Sequence, residues 1–70
     1  MILVPKKIRE LKALLFRAGC HVEQGKGSHT KWSHPRLSDK LTLSGSDGSD
    51  AKPYQESAVA RYIKDILDKK

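Results

Sequence analysis

Seventy residues, 37% hydrophobic and 31% charged, suffice for one small folded domain, taken as residues 1–70, and exclude a disordered chain. A net charge of +6 points to a polyanionic partner, of which nucleic acid is the commonest. No apolar run reaches membrane-spanning length, "MILV" is too short for a signal peptide, and the single Cys20 excludes a disulfide framework, so a cytoplasmic location is expected.

The first element is a helix over Pro5–Ala18, "PKKIRELKALLFRA". Ile8, Leu11, Leu15 and Ala18 follow helical spacing, and Leu14 widens the stripe. Pro5 suits the first turn and Gly19 the position just past the end. Lys6 and Lys7 then fall in the first turn, against the helix dipole. Cys20–Gln24 and Ser28–His34 read as two strands around "GKG", a hairpin signal, and Pro35 ends the second. "KLTLS" alternates as a third strand. "GSDGSDAK" reads as a flexible polar connection, since it lacks the spacing and lysine of a phosphate loop. The last helix runs from Pro53 to Lys69, with Val59, Tyr62, Ile63, Ile66 and Leu67 on one face and Lys69 and Lys70 favouring its C-terminal end. The order is α-β-β-β-α. An α+β fold follows, with a three-stranded antiparallel sheet that carries both helices on one face and leaves the other open.

Strand parity sorts the chemistry. Trp32 belongs in the core, so Thr30 points inward with it, while His29, Lys31 and Ser33 point out. Cys20 and Val22 point inward in the first strand, and Leu41 and Leu43 in the third. Register must keep apolar residues on one face. A Gly25–Gly27 loop does so and sets Val22 opposite Thr30, Cys20 opposite Trp32 and Glu23 opposite His29. A loop shifted by one residue pairs Gly25 with His29 and also keeps parity. In the first register the Glu23 carboxylate lies about 5 Å from His29 between Cβ atoms, where it would orient the ring and favour its charged form.

The open face therefore collects His21, Glu23, His29, Lys31, Ser33, Lys40 and Thr42. Cleavage of RNA by its own 2′-hydroxyl needs little more than a base, an acid and cations around the phosphorane, and DNA lacks that nucleophile. No cofactor or metal is called for. A zinc site from Cys20, His21, His29 and His34 is disfavoured, because parity separates Cys20 from His29 and the spacing fits no common metal motif. Parity also turns Ser28 away from His29, which makes it a poor nucleophile. The blander reading of an exposed hairpin histidine is a solvated surface residue, and His21 fits that description. His34 is expected at a strand end with a partner, and Tyr54 is expected to pack.

The run "KGSHTKW", preceded by "LLFRAGC" and followed by "HP", a third strand and "KPYQESAVARYIKDIL", resembles the HicA family of toxins from type II toxin–antitoxin modules. The resemblance covers most of the chain. It implies a fold of the double-stranded-RNA-binding-domain type and an mRNA interferase activity, with the family's active-site histidine at His29 and its adjoining glycine and serine at Gly27 and Ser28. It also implies a HicB-type antitoxin that covers the active site. The second helix begins "PYQES", without the lysine cluster of ordinary duplex binders.

The leading expectation is thus a metal-independent endoribonuclease toxin acting on mRNA. His29 would be its general base or acid, tuned by Glu23, with Gly27 and Ser28 shaping the turn. Lys26, Lys31 and Lys40 would hold phosphates. His21 or water would serve in the second proton transfer. The alternatives are a non-catalytic RNA-binding module of the same fold and a domain whose open face docks a protein. Oligomeric state is left open by the sequence.

Overall fold

The computed structural model describes residues 6–68; Pro5, Lys69 and Lys70, assigned above to helix ends, lie outside that range. The element order is α1 (Ile8–Arg17), β1 (His21–Gln24), β2 (Thr30–Ser33), β3 (Leu41–Leu43) and α2 (Pro53–Asp68). The strands form an antiparallel sheet in the order β1-β2-β3. This is the α+β order α-β-β-β-α read from the sequence. No helix among the described residues is long and apolar enough to cross a membrane.

Helix α1 begins at Ile8, so Lys6 and Lys7 stand before the first turn rather than within it. The cause lies far along the chain. The segment read as a flexible connection is hydrogen-bonded to the start of α1. The N–H groups of Ile8 and Arg9, which have no partner inside the helix, donate to the carbonyls of Ser49 at 2.9 Å and Asp47 at 3.1 Å. Ala51 N–H donates to the Lys6 carbonyl at 2.7 Å, and Lys7 forms an antiparallel bridge with Asp50. Lys7 N–H also donates to the Glu10 carboxylate at 2.8 Å, the half of a capping box that an N3 glutamate supplies.

Helix α1 ends as its sequence suggests. Gly19 adopts φ +91°, its N–H donates to Phe16 and that of Cys20 donates to Leu15. These are the paired bonds of a Schellman motif, and they bring Cys20 into the core beside Leu15. In α2, Pro53 opens the helix, and the buried Gln55 accepts from Lys52 N–H and donates to the Ser44 carbonyl at 2.8 Å.

The core lies between the helices and one sheet face. Ile8, Leu11 and Leu15 of α1 meet Val59, Tyr62 and Ile66 of α2 over Trp32 and Leu43. The opposite face stays open, with Glu23, Lys31 and Thr42 exposed. Three expectations are corrected. Leu67 is 72% exposed and Tyr54 63%, because the buried stripe of α2 runs Gln55-Val59-Tyr62-Ile66 and both residues sit one step round the helix from it. Val22 is also exposed, at 40%, because β1 is an edge strand that neither helix covers fully.

Candidate active site

The segment Ser28–Trp32 alternates between two sets of partners. On the inner side, the Trp32 indole N–H donates to Thr30 Oγ1 at 2.9 Å, and the Thr30 hydroxyl donates to the Leu43 carbonyl at 3.2 Å. Ser28 Oγ accepts from Gly45 N–H at 3.1 Å. The buried Thr30 and Trp32 and the exposed Ser28 thus tie the start of β2 to β3 and the turn after it. Thr30 and Trp32 are buried while Lys31 between them is exposed, as parity requires. With its neighbours fixed on one side, His29 is presented on the other, and it is exposed. Among the described residues its ring makes no hydrogen bond or ion pair.

The hairpin register differs from the favoured one. Val22 pairs with Trp32, Glu23 with Lys31 and Gln24 with Thr30. Glu23 therefore faces Lys31 and not His29, and it reaches His29 only along a diagonal of about 7–8 Å. The residue across from His29 is Gly25, whose N–H donates to the His29 carbonyl at 2.8 Å. The turn is closed by His29 N–H to the Lys26 carbonyl at 3.0 Å, with Gly27 at φ +59°. This is the loop shifted by one residue. Gln24 holds it: its side-chain amide donates to the carbonyls of Gly27 at 3.1 Å and His29 at 3.3 Å. Gln24 was not singled out in the sequence, where a glutamine before a glycine turn carries no distinctive signal.

The open face is therefore a grid. Glu23, Lys31 and Thr42 form one row across the three strands. His29 lies at the loop end of β2, with Lys26 in the adjoining turn. Lys31 is two residues away, about 7 Å along the strand and on the same face. His21 pairs with Ser33 at the far end, which puts it about 13 Å from His29 along the strand direction. Lys40, exposed, stands just before β3. The structure brings Lys26 and Lys31 close to His29 in the chain and sets Lys40 toward the His21 end.

The other titratable groups are structural. His34 Nδ1 accepts from Arg36 N–H at 3.1 Å, so its Nε2–H donates to the Ala18 carbonyl at 3.1 Å and joins β2 to the end of α1. Burial pushes the Cys20 thiol above its ordinary range. Burial does the same to the Tyr62 phenol, which donates to the Asp39 carbonyl at 2.7 Å. Among the described residues no three His, Cys, Asp or Glu side chains are grouped to hold a metal ion. A concavity of about 270 Å³ is lined by Leu37, Ser38, Asp39, Tyr62, Asp65 and Asp68. It contains none of the open-face residues, and its acidic lining would repel phosphate.

No curated protein and no solved structure matches the chain significantly. The family model described as the HicA toxin of bacterial toxin–antitoxin systems matches residues 8–66, from the first residue of α1 to the last turn of α2. The chain belongs to the HicA toxin family.

Proposed function

We propose that this toxin is a metal-independent endoribonuclease that cleaves mRNA and so blocks translation, with His29 as the proton-transfer group. The observation that carries the reading is the presentation of His29: exposed on the open face, with an unengaged ring, between Ser28, which is tied to Gly45, and Thr30, which is buried in the core. A substrate 2′-hydroxyl attacks the adjacent phosphorus, a base takes its proton, and the 5′-oxygen leaves with a proton from an acid. The products are a 2′,3′-cyclic phosphate and a 5′-hydroxyl end. His29 serves as base or acid. Of His21 and water, the separation of about 13 Å between the two histidines favours water for the second transfer. Lys31 and Lys26 stabilise the phosphorane charge, and Lys40 binds phosphate farther along the strand. Glu23 stands across from Lys31 rather than from His29 and forms no ion pair with either, so it adds negative charge to this face without orienting the imidazole. Gly27 and Ser28 set the turn. A HicB-type antitoxin neutralises the activity.

Expression of the wild-type chain should arrest growth and degrade mRNA, and cleavage should persist in EDTA. His29→Ala should abolish arrest and lower the cleavage rate by about 10²- to 10⁴-fold, the usual contribution of a general acid or base, while leaving the fold intact. Equal toxicity of the variant would refute the assignment and favour a binding module instead.

A further inference from the structure

The edge of β1 is open in a way that the edges of small sheets usually are not. In an antiparallel ladder, alternate residues direct their backbone groups toward the neighbouring strand. Gly25 donates to His29 across the β1–β2 pair, so Glu23 and His21 face β2 and the intervening Val22 and Gln24 face outward. All four residues of β1 are exposed. No lysine or proline within β1 blunts the edge. Beside it lies an apolar patch: Val22, and Phe16 at 56% exposure, whose ring meets Trp32 edge-on with centroids 4.8 Å apart.

We propose that this edge receives an extended segment of an acidic protein partner, which adds to the sheet as a fourth strand next to β1. This rests on the reading of the chain as a toxin held by an antitoxin, and it names where and how that partner grips. Backbone groups of Val22 and Gln24 supply the ladder, and alternate apolar side chains of the incoming strand pack on Val22 and Phe16. Charge selects the occupant. The chain carries +6, and Arg17 at the end of α1 and Lys31 on the neighbouring strand β2 are exposed, so a second copy is repelled and an acidic chain is attracted. An RNA strand has no alternating donors and acceptors to match the ladder.

The test uses the full chain and its cognate antitoxin. In the complex, hydrogen exchange at the Val22 and Gln24 amides should slow at least about tenfold relative to the free toxin. Val22→Pro removes an outward donor but no β1–β2 bond, and should weaken antitoxin binding by about tenfold or more. It should also still arrest growth, with the antitoxin no longer rescuing it. Phe16→Glu, which opposes an acidic partner, should weaken binding without touching the strand backbone. The proposal is overturned if both amides exchange equally fast in the complex, or if both variants bind as the wild type does. It is also overturned if an RNA oligonucleotide or self-association alone protects the same amides. A toxic His29→Ala would undo the catalytic reading and leave these measurements unaffected.

Discussion

A Cβ atom placed on Gly25 would sit 3.2 Å from the His29 carbonyl oxygen and 3.4 Å from the His29 Cβ. The close approach of two strands leaves little room for a Cβ there, and the backbone that would have to give carries His29. Gly25→Ala should therefore shift His29 by a few tenths of an ångström and cut RNA cleavage by about tenfold, with little loss of stability. Gly27→Ala should do the reverse. Nothing lies within 4 Å of that position, but φ is +59°, so the substitution costs about 1–2 kcal/mol of backbone strain. Cleavage rates and urea midpoints measured on both variants separate the two effects.

Thr30→Val should destabilise the protein by about 1–3 kcal/mol, because it keeps the shape but leaves the buried Trp32 indole N–H without an acceptor. Thr30→Ser keeps the hydroxyl and should recover most of that loss. Denaturant unfolding of the pair is the measurement, and equal midpoints for Thr30→Val and the wild type would contradict the inner network.

The loop that caps α1 makes a contrast between side chains and backbone. Asp47→Asn and Asp50→Asn remove solvent-exposed ion pairs with Lys12 and Lys7, and each should cost no more than about 0.5 kcal/mol. Deleting Gly48 and Ser49 removes a carbonyl acceptor and displaces the other, and should cost more than both substitutions together. Urea unfolding followed by circular dichroism distinguishes these outcomes.

Cys20 and Tyr62 are both held in their protonated forms by burial. A raised folded-state value means that the folded chain retains the proton longer than the unfolded one. Their contribution to stability is therefore complete below about pH 9, where the unfolded thiol begins to titrate, and is lost as pH rises through the folded values. Stability should decline above pH 9, and Cys20→Ala should flatten the first part of that decline in a series of urea titrations.

Much of this was legible in the sequence because it rests on periodicity. The placement of His29 needed only Trp32 and the two-residue repeat of a strand, and the burial of Thr30 and Trp32 around an exposed Lys31 agrees with it. Register was not legible to the same degree. Two loops separated by one residue keep the same parity, and the choice between them is made by the Lys26–His29 turn and the Gln24 amide, which no alternation pattern encodes. The pairing of Glu23 with His29 failed for that reason. The segment "GSDGSDAK" misled differently. It works through the carbonyls of Asp47 and Ser49, which any sequence possesses, so its composition described only the solvent-facing side of a loop whose backbone is engaged.

That engagement also orders the birth of the molecule. During synthesis α1 leaves the ribosome before the sheet and α2, yet the acceptors for its leading N–H groups belong to residues 47 and 49. The helix that supports Trp32, and through it the strand bearing His29, is finished only once residue 49 has been made. A truncated chain ending before that loop lacks the cap of its first helix, so an interrupted translation of this toxin yields fragments with an unfinished scaffold beneath the histidine.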